Sequence, residues 1–253
     1  METKAPISLP IELGTERTAN ASARRLLVGM ARFCYRAGMN WLDRHITLHG
    51  QDSPREEVAN WSTHMVGAIL AVAGTVALLL RPERAADTFS LVVFGVSMIV
   101  LFSASTAYHL SPPDSSWKRL FRLSDHVSIY LLIAGTYTPI MGAIGTPWAR
   151  WTLVAVWFLA AVGITLKVIL WDRFRRSQVL FFLAMGWLAV VRLDVVLEAL
   201  PQPFFILLLS GGIFYSTGTI LYSLKQMPYH HAVWHLFVLG GAGSFYWGVY
   251  GYL

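Results

Sequence analysis

The sequence predicts an all-α integral membrane protein built as a bundle of seven transmembrane helices. Of its 253 residues, 55% are hydrophobic and only 13% are charged, whereas charged residues make up about 25% of a soluble globular protein. A chain with so few charges cannot cover a water-facing surface, so lipid must solvate much of it. Its one cysteine, Cys34, excludes an intrachain disulfide, and its high apolar content excludes a disordered chain.

Seven apolar stretches are long enough to cross the hydrocarbon core, which takes about 20 helical residues. The predicted spans are 61–80, 87–110, 124–145, 149–170, 177–197, 204–224 and 229–253. Aromatic residues lie near several span ends, as in an interfacial belt. Small residues four apart, at Gly212 and Ser216 and at Gly240 and Ser244, predict that the last two spans approach neighbouring helices closely.

The basic residues predict how the bundle is oriented in the membrane. If the N-terminus is inside, 15 Lys and Arg residues fall in inner segments, and three, Arg81, Arg84 and Arg150, fall in outer loops. Cytoplasmic segments retain Lys and Arg, so the N-terminus is predicted inside and the C-terminus outside. This topology accounts for the net charge of +6 and leaves no basic excess that would indicate nucleic-acid binding.

The first 58 residues differ from the rest and are predicted to lie outside the membrane. Residues 1–20 are predicted to form a disordered tail, residues 21–58 a cytoplasmic basic amphipathic segment, and residues 59–253 the membrane domain. Between residues 21 and 46, apolar residues recur at helical spacing while arginines occupy another face. Such a helix could lie on the inner leaflet or pack on the cytoplasmic loops, and the sequence leaves both possibilities open.

Polar residues at three span ends carry the strongest functional signal, because ionisable groups in a membrane are costly. The second span ends with Ser105 and His109, which share a helix face since they are four residues apart. The third span begins with Asp125. The seventh begins with His231 and His235, which also project together, whereas the adjacent His230 is rotated away from His235.

The predicted topology brings these span ends to one side of the membrane and one depth. Three imidazoles, from His109, His231 and His235, are the ligands of a catalytic zinc site with one open position. Bound zinc lowers the pKa of a coordinated water to about 7; Asp125 would orient or deprotonate that water, and Ser105 would hold it or His109 in place. Spacing alone also permits interfacial histidines and, for Asp125, a helix N-cap.

The other polar residues of the spans have simpler interpretations. His64 and His126 are predicted to be interfacial, and His64 is also a candidate contact between the first span and the loops. Lys167 is predicted to snorkel, which means that its stem lies along apolar surface while its ammonium reaches water. Arg192 is predicted to pair with the nearby Asp194.

Three sequence runs resemble the hemolysin III family, the bacterial branch of the progestin and adipoQ receptors, which includes the adiponectin receptors. They are STAYH at 105–109, DHVSIYLLIAGTYTP at 125–139 and HAVWH at 231–235. The similarity covers about residues 56 to 253 and includes Asn60 and His64. The order of the three runs and the predicted topology both agree with that family.

The resemblance implies a seven-helix membrane protein, N-terminus inside, in which three histidines hold zinc. The corresponding residues here are His109, His231 and His235. The family's Asp, matched by Asp125, is associated with the zinc-bound water, and its serine is matched by Ser105. Eukaryotic relatives are linked to ceramidase-like amide hydrolysis, while bacterial relatives have been named for haemolysis. The N-terminal extension is longer than in compact bacterial members.

The motifs and the resemblance give two hypotheses about function. The first is a zinc-dependent membrane hydrolase of lipid amides, similar to ceramidases, with a long acyl chain between the helices. The second is a non-enzymatic seven-helix receptor or membrane regulator with a structural zinc site. Three ligands beside a carboxylate favour the hydrolase, since structural zinc sites normally have four ligands. Either protein would reside in the bacterial inner (plasma) membrane among membrane lipids, with its zinc near the cytoplasmic face. A pore is disfavoured because the spans lack a repeated polar stripe.

The asymmetry of Lys and Arg makes the topology testable. A reporter domain fused after Leu253 is expected to lie on the periplasmic or extracellular side, because the predicted inner segments carry 15 of the basic residues. Paired fusions of alkaline phosphatase and a fluorescent protein measure this directly. Cytoplasmic activity at the C-terminal position would contradict the predicted common depth of the histidines.

Overall fold

The structure is a computed structural model. Most of the residues that it describes are helical. The described residues are 28, 30, 37–48, 52–82 and 85–253, without the side chains of 175 and 176. The chain divides into two units between His45 and Ile46, and in the first unit residues 37–45 are helical. The predicted tail and most of the predicted amphipathic helix lie outside the described residues. The predicted domain boundary at residue 58 stays a prediction.

The described residues of the second unit form eight α-helices. They are α1 Pro54–Leu80, α2 Thr88–Leu110, α3 Ser116–Ile144, α4 Pro147–Ile169, α5 Arg175–Gly186, α6 Leu193–Ala199, α7 Gln202–Ser223 and α8 His230–Tyr252, with a 3₁₀ segment Leu188–Arg192 between α5 and α6. Within the described residues, six stretches are long and apolar enough to cross a membrane: α1 to α4, α7, and the combined stretch Ser177–Ala199. Large apolar side chains project outward from these stretches, for example Phe89, Trp151 and Leu180, each at least 70% exposed. Such a surface requires lipid as its solvent.

Helix α8 is the predicted seventh span, and it lies outside that set of six. It is 23 residues long, so its length suffices. Its histidines and glycines lower its mean hydropathy. A membrane helix can carry such residues where they face other helices rather than lipid. The seven-span count and the orientation of the termini stay predictions.

The fifth predicted span is interrupted rather than continuous. Helix α5 ends at Gly186, and the backbone passes through a 3₁₀ segment before α6 begins. The Tyr137 hydroxyl donates to the Gly186 carbonyl (2.9 Å) and accepts from the Ala189 amide (3.0 Å). Insertion of a side chain into the hydrogen-bond ladder is a recognised cause of helix breaks, and here it satisfies the groups that the break releases. The predicted Arg192–Asp194 pair is present, at 2.7 Å.

Helix α3 begins eight residues before the predicted third span. The Ser115 side chain caps it by accepting from the Lys118 amide at 3.0 Å. Asp125 therefore lies in the third turn of α3, inside the helix. The N-cap interpretation of Asp125 is wrong, because the polar stretch 116–123 is helical and places the cap upstream.

Small residues let the last two helices pack closely, as predicted. At Gly241 an added Cβ would lie 2.6 Å from the Tyr215 ring, and at Gly240 it would lie 3.1 Å from the Phe214 ring. Gly212 instead accommodates Trp187 of the interrupted fifth span. The glycines of α7 and α8 thus make room for aromatic rings of neighbouring segments, and this packing sets the separation of the helices.

Lys167 is buried in α4 and does not snorkel, so that prediction is wrong. Its ammonium donates to the Trp171 carbonyl at 3.2 Å and lies 3.6 Å from the centre of the Trp171 ring. The Trp171 indole in turn donates to the Thr47 hydroxyl at 3.2 Å. The carbonyl and the aromatic face replace solvent for the charge, which the sequence alone does not reveal.

Candidate metal centre

Three histidines meet at one end of the bundle. His109 lies in the last turn of α2, while His231 and His235 lie one turn apart at the beginning of α8. Their ring centres are 4.7 to 5.2 Å apart, and one ring nitrogen from each lies within 4.8 Å of the others. His109 and His235 are buried, and His231 is partly buried. This histidine cluster could hold a metal ion.

Two carboxylates from the chain around the start of α1 orient two of the rings. The Nδ1 atom of His109 lies 2.6 Å from Glu57 Oε2, and the Nδ1 atom of His231 lies 3.0 Å from Asp52 Oδ2. The hydrogen bond from His231 lowers the pKa of Asp52 to about 2, so Asp52 is an ionised acceptor at neutral pH. Both Nδ1 atoms therefore carry the ring proton.

The third ring is oriented by backbone. His235 Nδ1 donates to the Asn60 carbonyl at 3.0 Å, with the Thr63 hydroxyl 3.2 Å away. All three rings thus donate through Nδ1 and keep the lone pair on Nε2. The Nε2 atom of His109 is buried and has no hydrogen-bond partner. Metal-binding histidines characteristically donate their second ring nitrogen to a carboxylate or carbonyl, so these residues fit a metal ion bound through Nε2.

Sequence reasoning missed Asp52 and Glu57. A signal for Glu57 was available, because Glu57, Asn60 and His64 are spaced i, i+3 and i+7 and so share one face of α1. Asp52 precedes the helix and belongs to no periodic pattern. Its contact with His231 depends on how α1 and α8 meet, and nothing local in the sequence encodes that.

A buried lysine balances the charge of Glu57. Lys118 Nζ donates to Glu57 Oε1 at 3.0 Å, and the ammonium lies 5.0 Å from the centre of the Tyr108 ring. The early beginning of α3 places Lys118 there. Because Glu57 is held by both Lys118 and His109, its carboxylate has one defined position. A carboxylate fixed in this way restricts the rotation of the His109 ring.

Asp125 and Ser105 lie beside the cluster but are not members of its close group. Asp125 is partly buried, interacts electrostatically with His109, and lines a cavity together with His231 and His235. Ser105 is fully buried, and its hydroxyl lies near the Asp125 carboxylate without a hydrogen-bond partner. The Asp125 carboxylate also lies 3.8 Å from the Nδ1 atom of His126.

Two other histidines, His230 and His64, differ in their position relative to the cluster. His230 is directed away from the cluster, with its Nε2 3.3 Å from Lys225 Nζ. His64 is 3% exposed and stacks on the His235 ring with centres 3.6 Å apart. The interfacial interpretation of His64 is therefore wrong. Its position on the inner face of α1 follows from the i+7 spacing after Glu57.

A cavity of about 340 Å³ opens beside the cluster and continues between the helices. Asp125, His64, His231 and His235 line its polar end. The remainder is mostly apolar, with side chains that include Ile129, Ile133, Leu183, Val196, Leu208 and Val238. A long apolar cavity with a few polar groups at one end is suited to a ligand with a hydrocarbon chain and a polar head.

The fold and the site together define an integral membrane protein whose apolar helices enclose a buried histidine cluster. Residues 53–246 match the family model described as Haemolysin-III related. The chain belongs to that family. The resemblance inferred from the three sequence runs is thereby confirmed.

Relatives with curated descriptions agree with this assignment. The chain is 40% identical to Hemolysin-3 of Bacillus cereus over 79% of its length and 92% of that protein. It is also 40% identical to the Hemolysin-3 homolog of Bacillus subtilis (strain 168) over 77% of its length and 93% of that protein. A more distant similarity, 26% identity over 78% of the chain and 84% of the relative, links it to the human monocyte to macrophage differentiation factor.

The metal content of purified variants tests whether the histidine cluster binds a metal ion. Replacing His231 or His235 with alanine is expected to remove most of the metal from purified protein, because each substitution would delete one of the three Nε2 atoms that could bind it. His230→Ala is the matched control, since that ring is directed elsewhere, and it is expected to retain wild-type content. Metal per protein is measured by plasma mass spectrometry, and equal losses from all three variants would contradict the proposed ligand set.

The contact between the Glu57 carboxylate and His109 leads to a second prediction. Glu57→Gln is expected to weaken metal binding by about 10- to 100-fold, the usual cost of removing an outer-shell partner of a metal-binding histidine. Competition against a chelator of known affinity measures the change. Adding Lys118→Met to Glu57→Gln removes the unpaired buried lysine and separates its effect from that of the carboxylate. Asp194→Asn, at an exposed ion pair, is the control; unchanged affinity in Glu57→Gln would refute the role of this carboxylate.

Proposed function

We propose that this protein is a zinc-dependent membrane hydrolase of lipid amides, similar to ceramidases. The observation that carries the proposal is the histidine cluster, with every Nδ1 bonded to an acceptor, at the polar end of an apolar cavity. The proposal places His109, His231 and His235 as zinc ligands. It also places the protein in the bacterial inner membrane with the cluster near the cytoplasmic face, as the distribution of Lys and Arg predicts.

The donor set favours zinc in a catalytic rather than a structural site. Imidazole nitrogen is a common donor for zinc, as it is for copper, iron and nickel. Among the described residues, one close group joins the three histidines and another joins His109 to Asp52 and Glu57. The two carboxylates are bonded to the Nδ1 atoms of His231 and His109, which leaves three Nε2 atoms as the proposed ligands. Structural zinc sites are normally closed by four protein ligands, whereas three leave a position for a reactant.

In the proposed reaction, Asp125 and Ser105 have different roles from the three histidines. Zinc, when bound, polarises the scissile carbonyl and lowers the pKa of water. Asp125 is at the cavity's polar end, where its carboxylate can accept the proton of the attacking water and return it to the leaving amine nitrogen. The nearby Ser105 hydroxyl can donate to that carboxylate and restrict its rotation.

The cavity supports a lipid substrate. Its apolar walls come from several helices, including α3 and α7, and its polar end is the histidine cluster. A hydrocarbon chain lying in the cavity would place a head-group amide beside Asp125 and the three histidines. An apolar wall gains free energy from each methylene that it removes from water, but it offers nothing to a small polar substrate.

A non-enzymatic receptor or regulator with structural zinc is the second candidate. The interrupted fifth span favours it, because the break contributes Gly186, Trp187 and Ala189 to the cavity wall. A ligand in the cavity would contact this irregular segment directly. The name of the relatives refers to haemolysis, but a pore needs a polar lining, and this cavity is lined mostly by apolar side chains.

Asp125→Asn separates the two candidates. The amide cannot accept a proton, so lipid-amide hydrolysis is expected to fall by about 100- to 10,000-fold while zinc stays bound by the three histidines. Release of a fluorescent fatty acid from a ceramide analogue measures turnover, and plasma mass spectrometry measures zinc. Zinc-loaded wild-type protein without turnover on a broad lipid-amide panel would refute the hydrolase and favour the receptor.

A further inference from the structure

His64 is a buried histidine to which the proposed reaction assigns no role. It lies on α1, is 3% exposed, and lines the cavity beside Asp125, His231 and His235. Neither of its ring nitrogens has a hydrogen-bond partner. A neutral imidazole carries one N–H donor and one acceptor, and burying both without partners costs free energy that packing does not return.

Packing holds the His64 ring in one orientation. One face stacks on His235, with ring centres 3.6 Å apart and planes 17° apart. Phe102 contacts it edge-on, with centres 5.1 Å apart. A ring held by two aromatic neighbours keeps its nitrogens in a fixed position, which is the property of a recognition group rather than of a flexible surface histidine.

His64 is distinct from the ligand group. The set of nitrogens within 4.8 Å of one another contains His109, His231 and His235 but not His64. Its imidazole is a separate group of the cavity wall.

Several other polar groups of the cavity wall are already satisfied. Thr136 donates to the Leu132 carbonyl, Thr219 donates to the Tyr215 carbonyl, and the Tyr137 hydroxyl bonds at the break of the fifth span. Among the lining side chains of the described residues, buried and unpartnered atoms remain on His64 and on the Tyr215 hydroxyl.

Tyr215 lies deeper in the bundle than His64. Its ring packs at Gly241, six residues beyond His235 and so about 9 Å further along α8. His64, in contact with His235, is the unpartnered group next to the cluster.

We propose that His64 is a substrate-binding residue whose ring N–H donates a hydrogen bond to the carbonyl oxygen of a lipid chain in the cavity. The inference rests on the proposed function for the identity of that lipid as an amide. The neutral ring is sufficient, and no proton is transferred. The bond would hold the carbonyl beside the histidine cluster. It would also make the cavity bind an acyl compound more tightly than a plain hydrocarbon.

Two probes of equal chain length test this. A long-chain ketone keeps the carbonyl oxygen but cannot be hydrolysed, and an alkane with the same number of carbons lacks the oxygen. Displacement of a fluorescent fatty probe from the purified full-length protein measures the affinity of each. The variants are His64→Leu, which removes the hydrogen bond at similar size, and His64→Gln, which keeps an N–H donor. Tyr215→Phe removes the other unpartnered group from the same cavity.

The wild-type protein is expected to bind the ketone about 10-fold or more tightly than the alkane. His64→Leu is expected to abolish that preference without changing alkane affinity or metal content. His64→Gln should recover part of the preference, and Tyr215→Phe should leave it unchanged.

Three outcomes would overturn the inference: no ketone preference in the wild type, an equal loss for both probes in His64→Leu, or loss of metal in that variant. A ketone preference that depends on His64, in a protein that hydrolyses no lipid amide, would instead refute the proposed function and leave His64 as the carbonyl-binding residue.

Discussion

The structure depends on satisfying the three imidazoles of the cluster, two buried and one partly buried, because a buried polar group without a partner is costly. Their acceptors all come from one short stretch at the start of α1: the carboxylates of Asp52 and Glu57 and the carbonyl of Asn60. The same stretch fixes the beginning of α8, since Glu56 accepts from the Tyr229 amide at 3.0 Å. Tyr229 has φ of 56°, a conformation that costs a non-glycine residue free energy, and this bond helps to offset it. One segment therefore orients the histidines and positions the helix that carries two of them.

This arrangement explains why the helix with the chemistry is the one that least resembles a membrane span. The helices α1, α4 and α7 expose long apolar faces and bury few residues within their membrane-spanning windows, so those windows are strongly apolar. Helix α8 packs against α7 and α1 and presents histidines to them, which lowers its hydropathy. Lipid tolerates such a helix only when neighbouring helices supply the hydrogen-bond partners. The low hydropathy of α8 thus reflects the polar residues of the site, which neighbouring helices bury.

The sequence was sufficient for the parts of the site that follow from helical periodicity. The i, i+4 pair His231 and His235, together with the order of the spans, predicted that His109 would lie at the same end of the bundle. Periodicity could not reveal which groups outside a span face those rings, so Asp52 remained unrecognised. The break near Gly186 depends on a distant tyrosine hydroxyl, and the burial of Lys167 depends on Trp171. These features arise from contacts between elements far apart in the chain, for which a local pattern carries no signal.

Charge gives an independent reason why the cluster suits a cation. Asp52 is ionised because its pKa is about 2, and Glu57 is bonded to an ammonium and an imidazole. With Asp125 these groups place three carboxylates around the cluster, where Lys118 pairs with Glu57 and the Arg122 guanidinium acts on Asp125. The imidazoles add no compensating charge when their protons are on Nδ1 and their lone pairs are on Nε2. A divalent cation bound by those lone pairs would offset the excess negative charge where water is scarce and Coulomb interactions are strong. The carboxylates thus orient the rings and attract the ion, and neither effect requires them to be ligands.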